Sequence, residues 1–224
     1  MANENETRAT PPLPYSFGAM PYDTYKRWLD LAVAIPVLVL FSPIWLALAA
    51  AIRLTSQGPV LFRRTVVGQG GKPFTYYKFR SMRGGDDSHH REWLKNFVTR
   101  DQPYRDGGFK VTNDPRVTRV GRFLRRTSLD EVPQLINVLK GEMSIVGPRP
   151  PIEYEYELYD NIAKTRLAVK PGITGLYQVT ARSRVPFSGM LALDLEYIRH
   201  RSLRLDLCII TRTLKVMMTG SGAA

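Results

Sequence analysis

The feature that most constrains this chain is an uncharged apolar run near its beginning. From Leu31 to Ile52 the sequence reads "LAVAIPVLVLFSPIWLALAAAI", without a charged residue. As one straight helix rising about 1.5 Å per residue, the run would cross a hydrocarbon core of roughly 30 Å. Two prolines argue against a straight crossing, because Pro43 follows Ser42 at the centre of the run and Pro36 lies earlier in it. Since an interior proline removes a helix hydrogen bond, we expect the helix to break at Ser42-Pro43.

The charges on either side favour a segment that enters a membrane and returns. Basic residues flank the run: Lys26 and Arg27 before it, and Arg53, Arg63 and Arg64 after it. Cationic flanks are retained on the cytoplasmic side, so both ends should lie there. A single-pass anchor with a tolerated proline is the second interpretation. A buried helix of a soluble protein is the third, although the run lacks a polar face.

The composition predicts an anionic partner. The 224 residues, 44% of them hydrophobic, are enough for one sizeable core. Lys and Arg number 32 against 20 Asp and Glu, a formal net charge of +12. Nucleic acid, anionic lipid headgroups and phosphorylated small molecules would all suit such a surplus. The single cysteine, Cys208, excludes an internal disulfide, and three histidines at no ligand-like spacing argue against a zinc site.

Two segments can be assigned from local composition. Residues 1–21 are polar and carry several prolines, and we expect a flexible tail rather than a signal peptide. Residues 59–82 hold two stretches rich in β-branched and aromatic residues, separated by "GQGGK". This pattern predicts a β-hairpin whose glycines are turn residues and not a nucleotide-binding loop.

The rest of the chain reads as a polar insertion followed by helices. We expect residues 83–115 to form a long insertion with one short helix around Trp93, and His89 and His90 to be exposed loop residues. From Val117 onwards apolar residues recur at helical spacing. Helix starts are expected near Pro151, Pro186 and Asp206.

The last of these helices is amphipathic. It places Ile209, Thr213, Val216 and Met217 near one side, and Arg212 and Lys215 near the other. Such a helix could lie on a membrane surface or pack as a terminal helix on the domain, and the sequence leaves both open.

The candidate chemistry lies in "TSLDEVPQLINVLKGEMSIVGPRP", from Thr127 to Pro150. It opens with adjacent carboxylates, Asp130 and Glu131, and closes with Arg149 between two prolines, which restrict its backbone. Acids near arginines suit phosphate esters, because guanidinium groups bind phosphoryl oxygens and a carboxylate binds Mg²⁺ or attacks phosphorus.

Each part of this stretch also has a purely structural interpretation. Ser128 followed by Glu131 has the spacing of a capping box at a helix start. The preceding "GRFLRR" supplies Arg122, Arg125 and Arg126, which could be a solvated basic face or a strip that meets lipid headgroups.

Longer motifs resemble a known family. "KRWLDL", "KFRSM", "NDPRVTRVGRFLRRTSLDEVPQLINVLKGEMSIVGPRP", "VKPGITGLYQV" and "LDLEYI" stand in the same order as in the bacterial sugar transferase family, the monotopic polyprenyl-phosphate phosphoglycosyl transferases. The resemblance runs from about residue 24 to 218. The size of the chain is similar to that of the small, exopolysaccharide-initiating form.

The resemblance implies an activity. Members move a sugar-1-phosphate from a UDP-sugar to undecaprenyl phosphate and release UMP, through a phosphosugar bound covalently to the first acid of the dyad. That acid is Asp130 here, with Glu131 assisting and Mg²⁺ at Asp130 and the diphosphate. Matching motif positions imply phosphate-binding, nucleotide-binding or structural roles for Lys78, Arg80, Arg125, Arg149, Arg182 and Asp194. The family's re-entrant helix breaks at a Ser-Pro pair, which is Ser42-Pro43 here.

These expectations give an α+β fold, mostly helical. It comprises a flexible tail (1–21), a re-entrant membrane helix-break-helix (22–54), and a catalytic domain (55–220) with a short β-hairpin, a helical cytoplasmic part and surface amphipathic helices. The expected partners are a UDP-sugar, undecaprenyl phosphate and membrane phospholipids at the cytoplasmic face of the bacterial inner membrane, with a homodimer left open. The sugar also stays open.

Two rival functions remain. A membrane-anchored basic domain could bind nucleic acid or an acidic polymer, although we expect no nucleic-acid partner because no helix-turn-helix or aromatic stacking platform is evident. An inactive scaffold for polysaccharide assembly is the other, and the intact acid pair argues against it.

Overall fold

The computed structural model describes residues 21–84, 88–101, 114–181 and 185–219. Its helices are Pro21–Leu40 (α1), Ser42–Thr55 (α2), Ser88–Thr99 (α3), Arg119–Thr127 (α4), Gln134–Lys140 (α5), Glu153–Tyr156 (α6), Asn161–Lys164 (α7), Leu176–Thr180 (α8), Phe187–His200 (α9) and Leu203–Thr219 (α10). Its strands are Leu61–Val67 (β1), Pro73–Phe79 (β2), Ser144–Val146 (β3) and Gly172–Thr174 (β4). The mostly helical composition with a hairpin is as predicted. The tail assigned to residues 1–21 lies outside the described residues, except for Pro21.

The apolar run forms two helices bent by 64°. Helix α1 ends at Leu40 and α2 begins at Ser42. Among the described residues no single helix is long and apolar enough to cross a membrane, but this bent pair passes that test together. Two side chains donate hydrogen bonds to backbone carbonyls at the break. The Ser42 hydroxyl donates to the Val39 carbonyl at 2.8 Å, and the Trp45 indole N–H donates to the Val37 carbonyl at 3.2 Å.

The first half of α1 is part of the domain. The buried Asp30 carboxylate accepts hydrogen bonds from the Ser144 hydroxyl at 2.8 Å and from the Ile145 N–H at 2.9 Å. The Arg27 guanidinium donates to the carbonyls of Val138 and Leu139, at the end of α5. The Arg27 contacts provide donors for two carbonyls at the end of α5. Together with the Asp30 contacts to β3, they fix the direction in which α1 leaves the domain.

Strands β1 and β2 form the predicted antiparallel hairpin. Their register pairs Leu61 with Phe79 and Val67 with Pro73. The glycines are turn residues, because Gly70 and Gly71 have φ angles of 66° and 77°, which residues with a side chain rarely adopt.

A second, parallel pair of strands was not predicted from the sequence, which indicated a mostly helical chain from Val117 onwards. Strand β3 pairs with β4 in the register Ser144 with Gly172 and Val146 with Thr174. A side chain on Gly172 would overlap the backbone of Gly147. Strands of three residues are too short to show an alternating sequence pattern, so they can be identified only from their pairing in the structure.

Helix α10 packs against the domain along one side. Ile209 is buried in the main core, and the Thr213 hydroxyl lies 2.7 Å from that of Thr174. Of the two interpretations of this helix, packing on the domain is the one observed. Leu207 and Leu214 remain exposed on its other side.

The expected short helix around Trp93 is present, but it corrects one assignment. His89 and His90 belong to α3 and not to a loop, and the His90 ring stacks on Trp93 with centroids 5.8 Å apart.

Candidate active site

The acid pair lies in a single 3-10 turn, Leu129–Glu131, between α4 and α5. Asp130 is 3% exposed, so its carboxylate is almost completely removed from solvent. Ser128, just before the turn, adopts a left-handed conformation with φ 57°. A non-glycine residue in that region is held there by its surroundings, and such residues cluster at functional sites.

The capping-box interpretation of Ser128 and Glu131 is wrong. The Ser128 side chain makes no capping hydrogen bond, and only its backbone carbonyl accepts the Glu131 N–H, at 3.2 Å. The Glu131 carboxylate instead accepts a hydrogen bond from the Lys78 ammonium at 3.1 Å. Glu131 is therefore held by Lys78 of strand β2, across the fold, and not by a capping contact at its own helix start.

Lys78 forms an ion pair with Glu131. Burial would lower the pKa of its ammonium, but Glu131, Tyr76 and Asp130 outweigh that effect and raise the pKa above its ordinary value. Lys78 thus stays protonated and acts as a fixed positive charge rather than as a base. Its ammonium also lies 5.3 Å from the centre of the Tyr76 ring.

Arg125 acts electrostatically on Asp130, and Arg149 acts on Tyr76, which lies beside Lys78. Burial lowers the pKa of the Arg125 guanidinium, while Asp130 and Asp114 raise it, so this arginine lies within electrostatic reach of the buried acid. Arg149 donates from Nη1 to the Glu155 carboxylate at 3.1 Å.

Tyr76 interacts electrostatically with both Lys78 and Arg149. Burial raises the pKa of its hydroxyl to about 12, Lys78 and Arg149 act to lower it, and Glu131 acts to raise it. The Tyr76 hydroxyl is thus within electrostatic reach of Lys78, Glu131 and Arg149, and nothing along the chain indicates this role beyond an aromatic residue in a predicted strand.

The remaining predicted residues lie elsewhere. Arg80 donates from Nη2 to the Ser56 carbonyl at 2.8 Å and hydroxyl at 2.9 Å, which ties the end of α2 to the hairpin. Asp194 is 2% exposed and accepts a hydrogen bond from Arg166, beneath the surface. Arg182 lies outside the described residues.

Several buried polar residues near the site were not predicted from the sequence. Arg166 and Glu155 are both fully buried. Asn137, also fully buried, accepts the Tyr77 N–H and donates to the Thr75 carbonyl, so it holds β2 against α5. Charged residues in "YEYEL" and "KTRLAVK" look like surface residues along the chain, and no local pattern separates the buried ones.

The donor set suits Mg²⁺ better than a transition metal. Within the part of the chain that the structure describes, no group of three or more His, Cys, Asp or Glu side chains could hold an ion. Mg²⁺ commonly takes one or two protein carboxylates and completes its coordination with waters and substrate phosphates. The Asp130 carboxylate fits that arrangement, provided that a substrate diphosphate supplies the other oxygens.

Comparison with known proteins gives one family. Residues 21–220 match the family model described as bacterial sugar transferase. The chain is 43% identical over 199 residues to the galactosyl transferase CpsE of Streptococcus agalactiae, covering 88% of this chain and 43% of that protein. It is 38% identical over 198 residues to the exopolysaccharide production protein ExoY of Sinorhizobium fredii, covering 88% of this chain and 87% of that protein.

A third relative adds a named reaction. The chain is 42% identical over 203 residues to the UDP-glucose:undecaprenyl-phosphate glucose-1-phosphate transferase of Escherichia coli, covering 84% of this chain and 39% of that protein. The chain thus spans less than half the length of CpsE and of this relative, and most of the length of ExoY.

Proposed function

The chain belongs to the bacterial sugar transferase family, and on that premise we propose that it transfers a sugar-1-phosphate from a UDP-sugar to undecaprenyl phosphate. The products are undecaprenyl-diphospho-sugar and UMP, and the step would initiate an exopolysaccharide or another glycoconjugate. The names of relatives support the substrate class, since one is an undecaprenyl-phosphate galactose phosphotransferase of Salmonella typhimurium. The observation that carries the proposal is the buried Asp130 carboxylate, on which Lys78 and Arg125 act electrostatically, while Arg149 acts on the nearby Tyr76.

The first half-reaction forms a covalent adduct. A carboxylate oxygen of Asp130 attacks the phosphorus that carries the sugar, and the bond from that phosphorus to the bridging diphosphate oxygen breaks. UMP leaves with the electron pair, and the phosphosugar remains on Asp130 as an acyl phosphate. In the second half-reaction an oxygen of undecaprenyl phosphate attacks the same phosphorus, and the Asp130 carboxylate is released unchanged.

Two steps on one carboxylate suit these substrates. Donor and acceptor are both anionic, so a direct displacement would hold two repelling phosphates together. With the adduct, UMP can leave before the lipid phosphate approaches. Lys78 and the two arginines stabilise charge that develops on the phosphoryl oxygens, and Glu131, held by Lys78, is placed to assist the acceptor. When bound at Asp130, Mg²⁺ would offset further charge on the diphosphate.

The bent helix pair supports a position at the membrane surface. Large apolar side chains are exposed on both sides of the break, including Ile35, Val39, Leu40, Phe41, Ile44 and Leu46. A pair inserted into one leaflet would cover them with phospholipid tails and place the acid pair near headgroup height, where a polyprenyl phosphate resides. We assign this face to the cytoplasmic side of the bacterial inner membrane, since cationic flanks are retained there.

Covalent labelling tests the mechanism. A panel of UDP-sugars is first assayed for UMP release with undecaprenyl phosphate and Mg²⁺, which identifies the donor. The purified chain is then incubated with that donor, radiolabelled in the sugar, without acceptor. We expect protein-bound label in the wild type and none in Asp130→Asn, and the label should move to lipid when undecaprenyl phosphate is added.

The adjacent carboxylate serves as the matched control. Glu131→Gln should still accept label, because it keeps the nucleophile. Label kept in Asp130→Asn but lost in Glu131→Gln would assign the nucleophile to Glu131. Salt-sensitive DNA binding without UMP release would favour the rival basic-domain function instead.

A further inference from the structure

Arg149 is held by a buried network at both its side chain and its backbone. Its Nη1 donates to the two oxygens of Glu155 at 3.1 and 3.3 Å. Its backbone carbonyl accepts a hydrogen bond from Nη2 of Arg166 at 3.1 Å. Tyr159 bridges the two parts, since its hydroxyl donates to Glu155 at 2.7 Å and accepts from Arg166 Nη1 at 2.6 Å. Asp194 closes the network by accepting from Arg166.

The network is buried apart from the arginine that it holds. Glu155 and Arg166 are 0% exposed, Asp194 2% and Tyr159 4%, whereas the Arg149 side chain is 21% exposed. Two guanidinium groups balance two carboxylates, which is how folded proteins tolerate buried charge. Burial would raise the pKa of the Glu155 carboxyl, but Arg149 and Arg166 outweigh it and lower the pKa. Glu155 is thus a fixed anion behind a partly exposed cation.

Such an arrangement fixes the direction of a guanidinium. An arginine on a flexible stem loses side-chain entropy when it binds phosphate. A guanidinium that one nitrogen already holds in place has lost part of this entropy before binding, so binding costs less. The prolines on either side of Arg149 restrict its backbone as well. Within this network, Glu155 is the group that contacts the side chain and can aim it.

We propose that Glu155 is a positioning residue for Arg149, and that Tyr159 and Arg166 hold Glu155 in place for that purpose. The inference rests on the proposed function, in which Arg149 binds phosphoryl oxygens of the UDP-sugar. Glu155 itself touches no substrate. It acts by keeping the Arg149 guanidinium in one orientation on the side of the site where Tyr76 lies.

Substitution of Glu155 by its neutral isostere tests the proposal. In Glu155→Gln we expect the KM for the UDP-sugar to rise about 10-fold at saturating undecaprenyl phosphate, because the ion pair that anchors Arg149 is lost. The matched control is Glu157→Gln, an exposed carboxylate two residues away, which should keep the wild-type KM. UMP release by the full-length chain in detergent is the measurement.

A purely structural role predicts a different pattern. Loss of folded protein lowers the apparent kcat and leaves KM unchanged, whereas loss of positioning moves KM. In an Arg149→Ala background the Glu155→Gln change should have no further effect on KM, because the group to be positioned is absent. An equal, additive rise in that background would overturn the proposal.

A milder variant covers the case in which Glu155→Gln fails to fold. Tyr159→Phe removes only the hydroxyl that contacts Glu155 and Arg166, and it should raise the donor KM about threefold. A wild-type KM in folded Tyr159→Phe or folded Glu155→Gln would overturn the inference while leaving the proposed function intact. If the wild type releases no UMP from any UDP-sugar, the proposed function fails, and this inference fails with it.

Discussion

The Asp130 carboxylate is almost completely buried, so the charged groups around it determine its reactivity. A desolvated anion is costly unless cations lie close to it. Lys78 and Arg125 act electrostatically on Asp130. The adjacent Glu131 carboxylate accepts a hydrogen bond from Lys78. The two adjacent acids therefore have different surroundings, which suits a nucleophile beside an assisting carboxylate.

Lys78 gives the sharpest test at the scale of single residues. Lys78→Met should lower kcat/KM for UMP release by about 100-fold or more, because a fixed positive charge at the phosphoryl group is lost and Glu131 is released. The fold should persist, since the Lys78–Glu131 pair is partly exposed, at 25% and 26%, and such pairs add little stability. The control is Lys72→Met, which removes an exposed lysine from the same hairpin. A change of less than threefold in Lys78→Met would contradict this role.

At the scale of elements, helix α4 carries Arg125 and is positioned by its first turn. The Thr118 hydroxyl caps the helix by accepting the Gly121 N–H at 2.8 Å. The Thr118 N–H donates to the Ser81 carbonyl at 3.1 Å, so the start of α4 lies against the segment that follows β2. A side chain on Gly121 would overlap the backbone of Ser81. The absence of a side chain at Gly121 is thus what allows α4 to pack so closely there.

Gly121→Ala should therefore displace α4 and Arg125 with it. We expect a loss of about 1–3 kcal/mol in the free energy of unfolding, as for overpacking in a close-packed region, together with a lower kcat/KM. Thermal unfolding followed by circular dichroism measures the first. Gly84→Ala is the control, because a side chain there would meet nothing within 4 Å. Equal stability of the two variants would show that the contact with Ser81 relaxes without cost.

At the scale of the whole molecule, both ends of the bent pair are fastened to the same domain. At its start, Lys26 and Tyr22 contact Asp206 of α10 at 3.0 and 2.9 Å. At its end, Arg80 binds Ser56, and Ile52 is buried beside the hairpin residue Phe79. A straight crossing would carry the two ends to opposite sides of a bilayer, so these contacts favour re-entry.

Cysteine accessibility tests this topology. In a Cys208→Ser background, which removes the exposed native thiol, cysteines introduced at Asn5 and Ser88 should both react with a membrane-impermeant reagent only from the cytoplasmic side. A cysteine introduced at Phe41, which is 46% exposed at the break, should react from neither side if lipid covers it. Reaction of the Asn5 and Ser88 cysteines from opposite sides would rule out re-entry. Replacing both Ser42 and Pro43 with Ala should convert part of the population to that spanning form.

Several features could be predicted because their causes are local. The hairpin follows from alternating strand residues around glycines that can adopt positive φ. The bend follows from Pro43, which has no N–H to donate to the Val39 carbonyl, the position that the Ser42 hydroxyl takes instead. The acid pair and the arginine of "GPRP" were identified from residue types whose chemistry does not depend on the fold. These features are properties of neighbouring residues, so they can be read along the chain.

The rest was decided by tertiary structure, because its partners are far apart in sequence. Glu131 has the spacing of a capping residue, yet it binds Lys78, 53 positions away, since β2 brings the Lys78 ammonium within hydrogen-bonding distance of its carboxylate. Arg166 looks like a surface cation, and only its contact with Asp194, 28 positions away, makes burial possible. The sequence by itself therefore determined which groups were present and where the chain would turn. The packing of distant segments decided which charge meets which, because burial and electrostatic pairing depend on distance in space and not along the chain.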